Sequence, residues 1–179
     1  MARPLVVVAL QSEATYLSGY DVVLTGIGKV SAAIAVSRAI AERRPSSVLN
    51  VGTAGALRDG LEGVHRIGRV VEHDVDHDFL QRLTGEPSVG EIVLDPDEPT
   101  TLATGDAFVS DPALRTLLAA RAHLVDMEGF AVARACAAAG IPCQLVKVVS
   151  DSASEDAAES WKVEADRTAR QIAEVVAAH

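Results

Sequence analysis

Apolar residues come in short unbroken runs, and these alternate with longer Ala-rich stretches of helical period. Residues 5–10 contain only Val, Leu and Ala. A continuous apolar run of that length reads as a strand buried on both faces. Further strands are expected over 22–25, 47–51, 124–127 and 143–149, with shorter ones at 91–94 and 100–103 and β-rich stretches within 62–74. Residues 29–43 are Ala-rich, lack Gly and Pro, and stop before Pro45, which predicts a helix. A second helix is expected over 111–121, with Ser110 as N-cap and Pro112 in the first turn. A third spans 129–139 and stops at Gly140. The last, over 157–179, places Ala165, Ala169, Ile172 and Val176 on one face. Residues 84–99 are rich in Gly, Pro and acids and read as mostly loop. Strands alternating with helices predict an α/β protein with three α/β/α layers. The length is that of one domain, residues 1–179.

Composition narrows this picture. The chain is 49% hydrophobic but only 3% aromatic, so its core must be built from Val, Leu, Ile and Ala. A formal charge of −9 argues against a nucleic-acid or anionic-membrane surface, which needs a basic footprint. It leaves a small neutral ligand open. The two cysteines, Cys136 and Cys143, lack Cys-x-x-Cys spacing, and no Cys/His set offers four zinc ligands, so they read as reduced thiols in or near the core. The first apolar run is too short for a signal peptide or a membrane span, and a soluble, cytoplasmic protein is expected.

Three acids then stand out. Glu13, Glu128 and Asp151 each sit where an apolar strand runs out. A carboxylate in that position costs free energy unless something uses it. In open α/β sheets, the carboxyl edge is where ligands bind. Two Gly-bearing segments lie at strand ends, Gly26-Ile27-Gly28-Lys29-Val30 and Gly52-Thr53-Ala54-Gly55. The first is neither a Walker A loop, since Val30 replaces Ser/Thr and Val23 replaces Gly, nor a dinucleotide fingerprint, since position 31 is Ser. Taken alone, each reads as a tight turn whose small residues leave backbone open to a ligand. His73-Asp74-Val75-Asp76-His77-Asp78 suggests a metal site at first sight, but a solvated acidic turn is the commoner outcome of such a run. Phe108 is one of three phenylalanines, and it could serve as core filling or as a stacking platform for a base.

Together these pieces resemble one family, the 5′-methylthioadenosine/S-adenosylhomocysteine nucleosidases of the purine nucleoside phosphorylase superfamily. Seven stretches carry the resemblance, in family order: Glu13 after the first strand, Gly26–Val30, Asn50–Gly55, His73–Asp76, Gly105–Phe108, Asp126-Met127-Glu128 and Ser150-Asp151-Ser152-Ala153. The resemblance implies a nucleoside phosphorylase-like fold with a central mixed sheet. It implies that Asp151, with Ser150 beside it, is the acid that meets purine N7 and the 6-amino group, and that Glu13 activates the attacking water. Glu128 would hold the ribose hydroxyls and Met127 would pack against the sugar. Phe108 would stack on the purine, the Val109 backbone would read its edge, and Thr53, Ala54 and Gly55 would lie against the ligand. Ile27, Leu10 and Trp161 would line the rest of the pocket. No cofactor or metal is implied. The partner is a small-molecule nucleoside, with no nucleic acid or membrane, and the assembly is a homodimer or a larger set of dimers.

The chemistry asks for the same residue types. Breaking a purine N-glycosidic bond makes a poor leaving anion and an oxocarbenium-like sugar. The leaving group needs an acid, worth about 10²–10⁴ in rate. The sugar cation needs negative charge fixed in advance, and water needs a base on the far face, the logic of paired-carboxylate glycoside hydrolysis. Crowding acids in a poorly solvated cleft should raise the pKa of one, which would help Asp151 keep a proton. Related phosphorylases carry an Arg in the first loop to bind phosphate. Here residues 9–17 contain no Lys or Arg, and Glu13 would repel phosphate, which favours hydrolysis. Only twelve residues separate Glu13 from Gly26, where relatives insert a hairpin, and the stretch from Asp76 to Gly105 is also short. The expected function is therefore a nucleosidase acting on 5′-modified adenosines. The alternatives are a purine nucleoside phosphorylase, a futalosine hydrolase or an inactive purine-binding relative.

Overall fold

The structure is a computed structural model, and it describes residues 3–154 and 156–179. Nine strands and five helices are present among these residues: β1 Leu5–Val8, β2 Val22–Leu24, α1 Lys29–Arg43, β3 Val48–Ala56, β4 Val64–Arg66, β5 Arg69–Glu72, α2 His77–Thr84, β6 Glu91–Val93, β7 Thr101–Thr104, α3 Pro112–Ala119, β8 Leu124–Asp126, α4 Gly129–Ala139, β9 Cys143–Asp151 and α5 Ala157–Ala177.

Strand alternation sorts the apolar residues into layers. Leu5 and Val7 of β1, with Val23 and Val48, face Ala32, Val36 and Ile40 of α1 and Ala131, Val132 and Cys136 of α4. The intervening Val6 and Val8, with Leu49, Val51, Val146 and Val148, face Ile172 and Val176 of α5. Helices thus cover both faces of the sheet, giving the three-layer α/β/α arrangement that the pattern predicts. The sheet is mixed. β2, β1, β3 and β9 run parallel, β4 is antiparallel to β9, β7 lies parallel between β5 and β8, and β6 is antiparallel to β5. The long β3 joins the halves. It pairs with β9 from Val48 to Gly55 and antiparallel with β8 at Gly55 and Ala56. That register brings Gly55, Val125 and Asp151 to one point, so the ends of three strands meet.

Several boundaries differ from the sequence reading, each for a local reason. Gly52-Thr53-Ala54-Gly55 is not a turn: it continues β3, and the only break in its ladder with β9 falls between Ala54 and Gly55. β9 likewise runs on through Ser150 to Asp151. β1 stops at Val8 because the Ala9 and Leu10 N–H groups turn to serve the Glu13 carboxylate. The N-cap of α3 is Asp111, not Ser110: the Asp111 carboxylate accepts from Leu114 N at 2.8 Å. α2 was not legible. Asp76 caps it by accepting from Phe79 N at 2.8 Å, but it is eight residues long and buries none of them, so no core-facing stripe marks it. Among the described residues, no helix is long and apolar enough to cross a membrane.

Candidate active site

Glu13 is held by a reversal of the chain just after β1. Its Oε2 accepts from Ala9 N at 3.1 Å and Leu10 N at 3.0 Å. Its Oε1 accepts from Thr53 N at 2.8 Å and from the Thr53 hydroxyl at 3.0 Å. Four donors thus surround a carboxylate that is only 6% exposed, which offsets the cost of burying it.

Glu128 stands between β8 and α4. Its Oε1 accepts from Gly28 N at 2.8 Å. Gly28 has φ +94°, a conformation that a residue with a side chain rarely adopts. The Gly26–Val30 turn therefore spends an amide on a carboxylate 100 residues away along the chain. The turn is anchored from behind by the acidic run. Asp106 accepts from Lys29 N at 2.7 Å, Asp74 accepts from Asp106 N at 2.8 Å, and the Lys29 ammonium lies 2.6 Å from Asp74 and 2.5 Å from Glu72. His77 closes the group through Glu72 at 2.8 Å. The cation that this acidic run holds is a lysine side chain.

Asp151 ends β9. Its Oδ2 accepts from the Ser150 hydroxyl at 2.8 Å and its Oδ1 from Ala153 N at 2.8 Å. Ala153 takes positive φ (47°), which turns its N–H back onto the carboxylate.

All three acids line one cavity of about 320 Å³, within the size range of small-molecule sites. Leu10, Ile27, Thr53, Ala54, Gly55, Phe108, Val109, Met127 and Trp161 line it too. Phe108 is 48% exposed, so its ring is not consumed by the core. Ser150 is the exception. It does not line the cavity, and its hydroxyl instead donates to Asp151 Oδ2.

Sequence reasoning missed the floor of this cavity. Lys147 is fully buried, with Nζ 2.9 Å from Asp126 Oδ2 and 2.9 Å from Asn50 Oδ1. Asn50 in turn donates to Val7 O at 3.0 Å. Asp126 also accepts from the Thr104 hydroxyl at 2.6 Å and from Gly129 N at 2.9 Å. The signal was present: Asn50 interrupts the apolar run 48–51 and Lys147 the apolar run 145–149. Burial alone would lower the Lys147 pKa, but Asp126, Glu128 and Glu13 together raise it above the ordinary lysine value, so it is a fixed cation. Crowding lifts one carboxyl, and that carboxyl is Glu128. Burial first, then the Asp126 charge, push it up to about 7, against the opposing pull of Gly28 N–H and Lys147.

A largely apolar cavity lined by three carboxylates suits chemistry that develops positive charge on a bound small molecule. The family model of the Phosphorylase superfamily matches residues 14–101 and 72–179. A 5′-methylthioadenosine/S-adenosylhomocysteine nucleosidase of Marinomonas sp. (strain MWYL1) is 30% identical over 189 residues, spanning 88% of this chain and 81% of that protein. The chain belongs to the 5′-methylthioadenosine/S-adenosylhomocysteine nucleosidase family of that superfamily. Its fold overlays a Helicobacter pylori MTAN mutant with 5′-methylthioadenosine in the active site at a TM-score of 0.89, with 23% identity, covering 99% of this chain and 98% of that one. It also overlays a Neisseria meningitidis nucleosidase in complex with methylthio-immucillin-A at 0.82 and 25% identity, covering 96% and 95%.

Proposed function

We propose that the protein hydrolyses the N-glycosidic bond of 5′-modified adenosines, releasing adenine and the ribose product. The observation that carries this reading is the convergence of Glu13, Glu128 and Asp151, from three distant parts of the chain, on one cavity of nucleoside size. Asp151 is the acid on the leaving purine. Glu13 is the base for water. Glu128 accepts from the ribose hydroxyls, and Met127 packs on the sugar. Phe108 stacks on the base beside Val109, and Thr53, Ala54 and Gly55 form the strand wall against which the nucleoside lies. Ile27, Leu10 and Trp161 enclose the remainder.

Water rather than phosphate is the acceptor. The buried cation Lys147 is already engaged by Asp126 and Asn50, and the carboxylate of Glu13 occupies the first loop. A phosphate dianion entering here would meet negative charge at short range. The working unit is a homodimer: α2 and the loop that leads from it to β6 leave Phe79, Leu80, Leu83 and Val89 exposed, an apolar surface that a second copy would cover. The protein acts in the cytoplasm as a single domain, without a cofactor.

Incubation with methylthioadenosine, S-adenosylhomocysteine, adenosine, inosine and futalosine, each with and without phosphate, tests the reading. Phosphate-independent release of adenine from the 5′-thio substrates is expected. Turnover that requires phosphate would make it a phosphorylase, and base release from futalosine alone a futalosine hydrolase. No release from any substrate would leave a purine-binding protein.

A further inference from the structure

Thr53 Oγ1 lies 3.0 Å from Glu13 Oε1 and 3.1 Å from Trp161 Nε1. An indole N–H can only donate. Thr53 therefore accepts from Trp161, and its one hydroxyl proton is committed to Glu13. The direction of the chain, Trp161 to Thr53 to Glu13, follows from the donor inventory alone. The other three donors to Glu13 are backbone N–H groups, of Ala9 and Leu10 in the chain reversal after β1 and of Thr53 in β3. The hydroxyl is the only one of the four free to rotate, so it is the one whose orientation another residue can set.

α5 also holds the loop that carries Glu13. Tyr16, three residues beyond Glu13, donates its hydroxyl to Asp166 Oδ1 at 2.6 Å, and the Arg170 guanidinium lies 4.6 Å from the centre of the Tyr16 ring. One helix thus grips the loop that carries Glu13 and, through Thr53, the carboxylate itself.

We infer that Trp161 is a positioning residue for the base: its indole N–H locks the Thr53 hydroxyl onto Glu13, so that docking of α5 fixes the orientation in which Glu13 meets water. This rests on reading Glu13 as the base. It gives Trp161 a role separate from lining the pocket, because the ring lines the cavity while the N–H acts on Thr53.

Trp161 is the sole tryptophan, so a ¹⁵N-labelled protein shows one indole N–H resonance. That resonance should move in Thr53→Val and in Glu13→Gln, which break the chain at its middle and its end, and should stay close to its original position in Thr53→Ser, which keeps the hydroxyl. An indole resonance that does not move in Thr53→Val would overturn the proposal. This measurement needs no turnover, so it stands even if none of the nucleosides is a substrate. Kinetically, Trp161→Phe keeps a ring and deletes the N–H. It should lower kcat about 3- to 10-fold, the worth of one neutral hydrogen bond, with KM changed by less than about twofold. Thr53→Val should lower kcat at least as far, and adding Trp161→Phe to it should cost nothing more. An unchanged kcat in Trp161→Phe, or losses that multiply in the double variant, would sink the relay while leaving the hydrolase reading intact. Absence of base release by the unmodified protein would sink the hydrolase reading and leave the resonance to decide the relay.

Discussion

Lys147 Nζ and Asp126 Oδ2 lie 2.9 Å apart with both side chains 2% exposed, an ion pair sealed beneath the cavity. The pair ties β9 to β8, the strands that deliver Asp151 and lead into Glu128. Burying two charges is costly, and a buried pair is poor grounds for claiming net stability, but removing one partner strands the other charge, at about 3–5 kcal/mol. Lys147→Met should therefore lower the unfolding free energy by about that amount in urea titrations. Adding Asp126→Asn should recover part of the loss, because it removes the stranded charge while keeping an acceptor for the Thr104 hydroxyl. A double variant no more stable than Lys147→Met would show that charge is not the cause.

Glu128 makes a pH prediction of definite sign. Its carboxyl is raised from 4.5 to about 7, so the folded chain holds this proton more tightly than the unfolded one. The contribution to stability is full below pH 4.5, is lost as pH rises through about 7, and is flat above that. Glu128→Gln should remove this downward slope from a plot of unfolding free energy against pH. Activity should run the other way. If the ionised carboxylate accepts from the ribose hydroxyls, kcat/KM rises with pH through about 7, and the rise disappears in Glu128→Gln.

The two central acids should show their roles in kcat. Asp151→Asn keeps one oxygen to accept from Ala153 N and an amide that can donate to the Ser150 hydroxyl, but cannot supply a proton to the leaving purine. Glu13→Gln keeps the size of the side chain but cannot take one from water. Each should lower kcat by about 10²–10⁴. Circular dichroism and the thermal midpoint should stay close to those of the unmodified protein for Asp151→Asn. Near-normal turnover in Asp151→Asn would remove it from the acid role.

The layers, the strand order of burial and the three carboxylates were legible because each leaves a local mark: an apolar run, a helical stripe, an acid where the run ends. What the chain hid depends on pairing between distant segments. Nothing near Gly28 says that its N–H will meet Glu128, and nothing near Thr53 says that its hydroxyl will stand between Trp161 and Glu13. Gly52–Gly55 imitates a turn because small residues suit turns and close packing equally, and only the ladder with β9 distinguishes the two. Lys147 was overlooked because a lone charge in an apolar strand breaks the pattern being sought, although a buried cation is a strong sign of facing carboxylates. α2 escaped because a helix that buries no residue leaves no stripe directed at a core.

Gly55 offers a test of geometry rather than of charge. A methyl group on its Cα would stand 2.9 Å from Asp151 Oδ1, 3.2 Å from Ala153 Cβ and 3.3 Å from Val125 Cγ1. None of these neighbours is the far end of a long flexible chain. Asp151 is pinned by Ser150 and Ala153 N, Ala153 is buried, and Val125 lies in β8. Asp151 is the group with most room to give, since its carboxylate faces the cavity. Gly55→Ala should therefore displace the carboxylate and lengthen its bond to Ala153 N, with an overpacking cost of about 1–3 kcal/mol. The displacement falls on the proposed acid, so kcat should drop by at least tenfold, a larger effect than the same stability loss placed elsewhere in the core would produce. Val146→Ala, on the α5 side of β9 and away from the cavity, supplies that comparison. Equal stability loss in the two variants with equal kcat would mean that the position of Asp151 against Gly55 does not govern the reaction.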